Sequence, residues 1–422
     1  MAGSIENGKA SRIVTMNSLP DLAKSGLEAA QSSDERETAE RYQTAVEKLQ
    51  QEADKAGSSG VFVAVEDRDA SLVQSAVAQA AAGHSPLAAG GLEAQFGDGP
   101  TGGDVWGWIK SLWDHVPASA RHAIVRPPDT KAGAFPDKGA IAILGDWGTN
   151  LYGAPVSAAS ISKTGGYEMA LHLGDIYYSG TPEETKQRFL DVWPGDAAQV
   201  SRAINGNHEM YSGGYAYFDQ ILPAFSQASS YFAVQNEHWL LVGLDTACTD
   251  CALDAEQVRW LETVLGARGD RKTILFSHHQ PFSRLESKQN PAIGKALAGL
   301  FAKKAITAWY WGHEHACVLY DRHPTFDFLG RCVGHGGIPA PRKGEVTSAP
   351  IDSRPDGVTW RRLDSSADAP QCLVLDGRNP YVKGEEDKFG PHGYLTLAFD
   401  GPKLVERIHL PDGTEIFSGP VP

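Results

Sequence analysis

The stretch AIAILGDWG (residues 140–148) is a short apolar run that stops at a Gly-Asp pair, and ALHLGDIYY (170–178) repeats this pattern. Three further apolar runs follow, WLLVGL (239–244), TILF (273–276) and ITAWYW (306–311), each ending at polar or glycine-rich residues. Runs of this length bounded by turn residues are typical of buried strands. Helix-like stretches separate several of them, so the alternation predicts a layered α/β domain.

Side chains that can bind metal ions follow the predicted strands in chain order. They are Asp146, Asp175, Asn207, His278, His313 and His315. Because ligand sites of open α/β sheets form beyond the carboxyl ends of the strands, we expect these side chains to meet at one edge. Carboxylate and amide oxygens together with imidazole nitrogens suit Fe, Mn or Zn. The donors are too many for one tetrahedral ion, so they predict two ions that share a bridging carboxylate, as in sites for phosphoryl displacement.

Five motifs occur in a fixed order: GD-x-G (145–148), GD-x-x-Y (174–178), G-N-H-E (206–209), a strand ending in His278, and G-H-x-H (312–315). This series resembles the calcineurin-like metallophosphoesterase superfamily, and within it the series is similar to the purple acid phosphatases. The resemblance covers about residues 138–340 and implies a β-sandwich flanked by helices, with two metals at the sheet edge. Nothing comparable covers residues 1–137.

The resemblance implies which residues bind each metal. One metal would take Asp146, Asp175, Tyr178 and His315, and the other would take Asp175, Asn207, His278 and His313, so that Asp175 bridges. Tyr178 stands where purple acid phosphatases place the phenolate that binds ferric iron, so the expected pair is Fe(III) with a divalent Fe, Zn or Mn ion. Two alternatives stay open. Tyr177 is the ligand if the loop is displaced by one residue, or both tyrosines pack and the first metal is ferrous iron or zinc.

Other polar residues near these motifs are candidates for contact with a substrate. His208 follows a predicted ligand directly, and the resemblance implies that it contacts phosphate or protonates the leaving group. The alternative is that His208 orients a ligand. Glu209 could orient His208, while His279 and Asn150 are further candidates for substrate contact. His335 could lie at the rim of the site.

The expected activity is hydrolysis of a small-molecule phosphate ester by a metal-activated hydroxide, as in a phosphomonoesterase of purple acid phosphatase type. The first alternative is a phosphodiesterase or nucleotide-cleaving enzyme on the same metal site, because the motifs do not place the loops that build a substrate pocket. A second alternative, of another class, is an interaction module that keeps the fold without turnover. The intact donor set favours an enzyme.

The charge of the chain limits its partners. Its 422 residues carry a formal net charge of −14, so the basic face that a broad nucleic-acid surface needs is not expected. The same charge repels an anionic substrate at long range, and a metal cluster would supply the local positive charge that overcomes this field.

No apolar run approaches the roughly 20 residues that span a bilayer. No secretory signal is visible, so the chain as written is expected in the cytoplasm, or outside the cell if a leader was removed.

The pattern changes twice along the chain and predicts three regions. Residues 1–33 are aperiodic and rich in Gly, Ser and Ala, which is typical of a flexible arm. Residues 34–137 show helical periodicity and form a mainly helical N-terminal region. Residues 138–422 hold the α/β pattern and end in strand-like runs separated by Asp-Gly turns, a hairpin signature.

Overall fold

The computed structural model describes residues 32–57, 65–82, 121–286, 291–342, 346, 348–352, 354 and 356–422, together with a few isolated positions between 20 and 28. The chain forms two compact units, Met1–Ala120 and Arg121–Pro422. The flexible arm predicted for residues 1–33 lies almost entirely outside the described residues.

Two helices make up most of the described part of the first unit, α1 (Ser33–Ala56) and α2 (Arg68–Ala82). The buried side chains of α1 recur at three- and four-residue steps and therefore share one face of the helix. They include Ala39, Tyr42, Val46 and Leu49. The Arg41 guanidinium donates to both carboxylate oxygens of Asp69, at 2.5 Å each, and so joins the two helices. The helical character expected of this region is confirmed for the residues that the structure describes.

The second unit contains two β-sheets. One consists of β1 (Gly133–Ala134), β5 (Phe232–Gln235), β6 (Trp239–Gly243), β7 (Lys272–Ser277), β8 (Ala308–Trp311), β9 (Cys317–Arg322), β10 (Leu329–Val333), β11 (Val358–Leu363) and β12 (Cys372–Gly377). The other consists of β2 (Lys138–Leu144), β3 (Tyr167–His172), β4 (Ala198–Ala203), β13 (Tyr394–Asp400), β14 (Lys403–His409) and β15 (Glu415–Val421). Within the described residues, their spatial orders are β1-β5-β6-β7-β8-β10-β9-β12-β11 and β15-β14-β13-β2-β3-β4.

Helices cover the outer faces of these sheets. They are α3 (Ala154–Thr164), α4 (Pro182–Glu184), α5 (Asn207–Tyr211), α6 (Leu222–Ala224), α7 (Ala255–Gly266), α8 (Pro291–Ala296) and α9 (Ala298–Ala302). A π-helical segment at Thr185–Leu190 continues α4, and another at Tyr217–Ile221 precedes α6. In the part of the chain that the structure describes, no helix has the length and apolar character that a bilayer crossing requires.

Strand β2 shows why the quoted apolar run decides the fold. Its side chains alternate, so that Ile141 and Ile143 pack in the core between the two sheets, whereas Ala142 and Leu144 pack beneath α3 on the outer face. Because both faces of the strand are buried, every position of the run is apolar. The architecture is the expected α/β arrangement, a β-sandwich with helices on its outer faces.

Parallel pairing brings the ends of the central strands to one edge. In the smaller sheet, β2, β3 and β4 are parallel neighbours. In the larger sheet, β6, β7, β8 and β10 are parallel neighbours. Parallel neighbours end at the same edge of a sheet, so the polar segments that follow β2, β3 and β4 lie together, as do those that follow β7 and β8.

The C-terminal strands and residues 121–137 make strand pairings and contacts beyond those predicted. Strands β13, β14 and β15 form a three-stranded antiparallel ribbon rather than a lone hairpin, and β13 also pairs with β2. Residues 121–137 belong to the second unit, where β1 pairs with β5 and the Ser230 N–H donates to the Val125 carbonyl at 3.0 Å. The boundary predicted at residue 138 therefore falls inside this unit.

Candidate metal centre

The predicted donors lie together where the strands end. Asp146 follows β2, Asp175 follows β3, Asn207 begins α5 beyond β4, His278 follows β7, and His313 and His315 follow β8. A hydrogen bond from the His313 backbone N–H to Asp146 Oδ2, at 2.8 Å, joins the edges of the two sheets. Another from the His208 backbone N–H to Asp175 Oδ1, at 3.0 Å, joins the ends of β3 and β4. The sandwich therefore brings all six predicted O and N donors to one edge.

The backbone at several donors adopts a conformation that L-residues rarely accept. The φ angles are 56° at Asp146, 73° at Asp175, 70° at His313 and 47° at His315. Positive φ costs free energy at non-glycine residues and tends to persist where a site demands it. Adjacent glycines provide the necessary room. A Cβ on Gly206 would lie 2.2 Å from Asp175 Oδ1, and one on Gly312 would lie 2.6 Å from Asp146 Oδ2.

The first group of donors contains Asp146, Asp175, His315 and a tyrosine. One ligand atom from each of the two carboxylates and from His315 lies within 4.8 Å of the others. The phenol of Tyr177 lies among them. Its oxygen is 2.6 Å from His315 Nε2, 2.9 Å from Asp175 Oδ2 and 3.4 Å from Asp146 Oδ1. All four side chains are thus placed around one point.

The second group contains Asp175, Asn207, His278 and His313. Asn207 Oδ1 is 2.8 Å from His278 Nε2 and 3.0 Å from His313 Nδ1, and these two nitrogens are 3.2 Å apart. His278 Nε2 is also 3.3 Å from Asp175 Oδ2. The same Asp175 oxygen therefore faces both groups, which is the placement that a bridging carboxylate needs.

The charges of these groups test whether the site suits a cation. Burial lowers the pKa of His278, but Asp175, Asp146 and Glu209 outweigh burial and raise this pKa to about 10. Burial raises the pKa of Asp175, but His278 and His208 outweigh it and hold this pKa well below its usual range. The carboxylates thus draw positive charge into a buried, water-poor place. This field and the mixed oxygen and nitrogen donors fit a pair of metal ions.

The motifs, and the donors that they carry, fall within a known family. Residues 139–317 match the family model of the calcineurin-like phosphoesterases. The chain carries a calcineurin-like phosphoesterase domain. This match confirms, for residues 139–317, the superfamily that the motifs indicated, a family of metal-dependent phosphoesterases. A comparison with the curated proteins finds no match.

Several solved structures are similar to part of this chain, at low sequence identity. A purple acid phosphatase from yellow lupin (Lupinus luteus) seeds is 15% identical, with a TM-score of 0.48, and the match covers 69% of this chain and 54% of that chain. GAP50, the anchor in the inner membrane complex of Plasmodium, is 14% identical, with a TM-score of 0.46 and coverages of 67% and 88%. A dimetal phosphatase from Danio rerio is 12% identical, with a TM-score of 0.40 and coverages of 67% and 98%. The chain thus spans about half the length of the lupin protein.

The tyrosine whose phenol lies beside the donors is not the one that the motif spacing favoured. Tyr177 supplies the phenol beside Asp146, Asp175 and His315, whereas Tyr178 contributes backbone groups. The Tyr178 N–H donates to Glu184 at 2.7 Å, and its carbonyl accepts from His208 Nδ1. The structure therefore places the Tyr177 phenol beside these donors, as in the alternative left open for a loop displaced by one residue.

Two buried glutamates explain how this loop is held. Glu209 accepts hydrogen bonds from the backbone N–H groups of Asp175, Ile176 and Gly206, at 3.1, 2.7 and 2.8 Å. Burial, and then Asp175, raise the pKa of Glu209 to about 8. Glu184 accepts from the N–H groups of Tyr178, Ser179 and Thr181, at 2.7, 3.1 and 3.1 Å. Glu209 therefore positions the Asp175 loop, and its expected role in orienting His208 stays a prediction.

Glu184 was not among the residues singled out by the motifs. A local signal for it exists in Thr181-Pro182-Glu183-Glu184, because a threonine followed three residues later by glutamate is the pattern of a capping box. The structure contains this capping box. The pattern predicts a helix start, but it does not show that the same carboxylate also holds the tyrosine loop.

The predicted substrate residues differ in their placement. His208 is buried between two aromatic rings, 4.0 Å from Tyr177 and 4.6 Å from Tyr211 between ring centroids, and its Nε2 is 3.9 Å from Asp175 Oδ2. His279 is also buried beside the second group, with its ring 4.6 Å from that of His313. Its Nδ1 is 2.9 Å from Thr246 Oγ1, while its Nε2 has no hydrogen-bond partner.

Asn150 and His335 are not placed among the donors. Among the contacts of the described residues, none links Asn150 to a donor of either group. The side chain of His335 is buried against Gly393, where an added Cβ would lie 2.9 Å from His335 Nε2. The rim position considered for His335 is therefore not observed, and Asn150 stays a prediction.

Proposed function

We propose that this phosphoesterase domain hydrolyses phosphate monoesters with two metal ions. Asp146, Asp175, Tyr177 and His315 would hold the first ion. Asp175, Asn207, His278 and His313 would hold the second. The observation that carries the proposal is the position of Asp175 Oδ2, which lies 2.9 Å from the Tyr177 oxygen and 3.3 Å from His278 Nε2 and so belongs to both groups.

The ligand charges explain how an acidic chain attracts an anionic substrate. Two bound ions would lower the pKa of water to about 7 and would neutralise charge on the phosphate. Asp146, Asp175 and the Tyr177 phenolate are the anionic ligands, and three single charges do not cancel two polyvalent cations. With both ions bound, the site would therefore keep a local positive charge within a chain of net charge −14.

Tyr177 favours ferric iron at the first position. A phenolate is a hard, anionic oxygen donor, and two carboxylates and one imidazole complete this group. The second position has one carboxylate, one neutral amide and two imidazoles, a less anionic set that suits a divalent Fe, Zn or Mn ion. This difference between the two donor sets supports a ferric ion paired with a divalent ion.

His208 is the proposed proton donor to the leaving alkoxide. The Tyr178 carbonyl accepts a hydrogen bond from His208 Nδ1, so Nδ1 carries a proton in either charge state of the ring. Nε2 is then the atom that gains and loses the second proton, and it faces Asp175. His279, whose Nε2 has no partner, is the proposed second contact to the phosphate oxygens.

Hydrolysis rates test the substrate class. Purified full-length protein should hydrolyse p-nitrophenyl phosphate faster than bis(p-nitrophenyl) phosphate, because a monoester carries more charge for the metal pair to attract. A faster reaction with the diester would overturn the monoester assignment and favour a phosphodiesterase. Metal-replete protein that hydrolyses neither ester would instead support an interaction module.

Colour tests the tyrosine and the iron together. A tyrosinate bound to Fe(III) absorbs visible light, so the purified protein should be coloured. The substitution Tyr177→Phe should remove the visible band, whereas Tyr178→Phe, a matched change at the next residue, should keep it. A colourless wild-type protein that contains only zinc or manganese would contradict the ferric assignment.

A further inference from the structure

The side-chain amide of Asn207 is hydrogen-bonded to a tyrosine outside the motifs. Asn207 is the first residue of the one-turn helix α5, and Tyr211 is the last. Residues four apart are neighbours on a helix surface. Asn207 Nδ2 accordingly donates to the Tyr211 hydroxyl at 3.0 Å. The opposite end of the same amide, Oδ1, faces His278 and His313.

The two ends of an asparagine amide have nearly the same shape but opposite chemistry. The oxygen has lone pairs that can bind a cation, whereas the NH₂ group offers only donors. If the amide turned over, its hydrogens would point at the ion and the ligand would be lost. The hydrogen bond to Tyr211 holds the NH₂ end of the amide away from His278 and His313, and a turn of the amide would have to break it.

Tyr211 also supports the neighbouring residue of the same helix. Its ring lies 4.6 Å from that of His208 between centroids. Phenylalanine would keep this ring contact and would lose only the hydroxyl. The two contributions of Tyr211 can therefore be separated by one conservative substitution.

We propose that Tyr211 is a positioning residue that holds the Asn207 amide in its metal-binding orientation, and so raises the affinity of the second ion. This inference rests on the proposed function, in which Asn207 is a ligand of that ion. It assigns Tyr211 no contact with substrate. The first ion, whose donors lie on other segments, should not depend on Tyr211.

The test is chelator competition on the purified, metal-loaded full chain. In Tyr211→Phe, the second ion should be released at a chelator activity ~10–100-fold lower than in the wild type, the range typical when a group that orients a ligand is lost. The first ion should be retained as in the wild type. Tyr215→Phe is the matched control, because Tyr215 lies four residues further along the chain, is 43% exposed and makes an edge-to-face contact with His122. It should release both ions as the wild type does.

A second background isolates the amide. In Asn207→Asp, both side-chain ends are oxygens, so the choice of orientation disappears. Adding Tyr211→Phe to Asn207→Asp should therefore weaken the second ion much less than it does with asparagine. An equal effect in the two backgrounds would mean that Tyr211 acts through something other than the amide, and would overturn the inference.

The outcomes separate this inference from the proposed function. A wild-type protein that does not hold two ions would overturn the proposed function itself. If the wild type holds two ions and Tyr211→Phe releases both at wild-type chelator activities, only the role of Tyr211 is lost. If Tyr211→Phe lowers the thermal midpoint but leaves metal release unchanged, the residue is structural and the inference is again wrong.

Discussion

Two buried clusters of charged side chains in the same domain differ in which groups neutralise their charges. Between the sheets, Arg331 of β10 donates to both carboxylate oxygens of Glu406 of β14 at 2.7–3.0 Å, and the Tyr310 hydroxyl donates to Glu406 as well. At the sheet edge, carboxylate, amide and phenol oxygens surround imidazole nitrogens. In the cluster between the sheets, protein groups neutralise the charges and form the hydrogen bonds. In the edge cluster, several oxygen and nitrogen acceptors face the same two points.

This difference indicates what each cluster is for. A buried ion pair that is fully hydrogen-bonded needs nothing further, and removing one partner leaves an uncompensated charge. Acceptors that face one another at positions of positive φ are costly unless a cation or proton joins them. The Arg331–Glu406 cluster therefore contributes to stability and the edge cluster to binding, and each should respond to mutation in its own way.

The largest expected effect is at the carboxylate that both donor groups share. Asp175→Asn should lower the rate of phosphate ester hydrolysis ~10³-fold or more, comparable to or beyond the loss of one charge-stabilising group in an active site. Denaturant unfolding of the metal-free variant is the control for folding, because His278 loses a carboxylate that raises its pKa in the folded chain. A variant that keeps wild-type turnover would show that the edge cluster does not serve catalysis.

The opposite pattern is expected at the cluster between the sheets. Glu406→Ala should lower the free energy of unfolding by about 3–5 kcal/mol, because Arg331 would stay buried without a partner. The folded variant should still bind two metal ions. The double variant Arg331→Met, Glu406→Leu should recover much of the stability, since both charges are then absent. Loss of metal binding in folded Glu406→Ala would show that the clusters are not independent.

The fold and most donors could be predicted because each signal is local in the sequence. Buried strands give unbroken apolar runs, and each donor follows such a run directly, so Asp146, Asp175 and His278 stand out without any knowledge of contacts. The cluster of Arg331 and Glu406 gave no such signal. Its partners lie on strands far apart in the chain, and a charge in a strand resembles any exposed position until the sheets are stacked.

The choice between the two tyrosines could not be made locally either. Tyr177 and Tyr178 are adjacent and identical in chemistry, and which one faces the donors depends on the direction of the loop backbone. Glu184 and Glu209 fix that direction through five backbone N–H groups of the loop, and Glu209 acts from beyond β4. Spacing inherited from a family motif therefore identified the loop but placed the phenol one residue too late.

A smaller effect is expected at the proposed proton donor. His208→Ala should lower turnover ~10²-fold, a typical loss for a general acid, while both ions stay bound. Metal analysis beside the rate measurement is the control. Unchanged turnover would remove the assigned role of His208. Reduced turnover together with loss of metal would show instead that the residue orients Asp175.

The smallest effect concerns histidines that lie outside the donor groups. Burial lowers the pKa of His335 to about 3 and that of His392 to about 4, below the value near 6.5 of an unfolded chain. The unfolded state therefore takes up protons first as the pH falls. The stability contributed by the neutral folded forms is present above pH ~6.5 and is lost progressively below it.

Urea unfolding at pH 7 and pH 5 measures this effect. The midpoint should be lower at pH 5 than at pH 7 in the wild type, and His335→Gln should show a smaller fall because one buried neutral histidine is absent. A midpoint that rises on acidification would contradict the neutral state of these histidines. The contrast with His278, whose pKa is raised by the carboxylates, would then disappear.

The count of metal ions per chain tests the central claim most directly. Purified full-length protein, freed of loosely bound metal by gel filtration, is analysed for iron, zinc and manganese against protein concentration. The shared position of Asp175 between two donor groups predicts two ions per chain, and fewer in Asp175→Asn. One ion or none in active wild-type protein would contradict it.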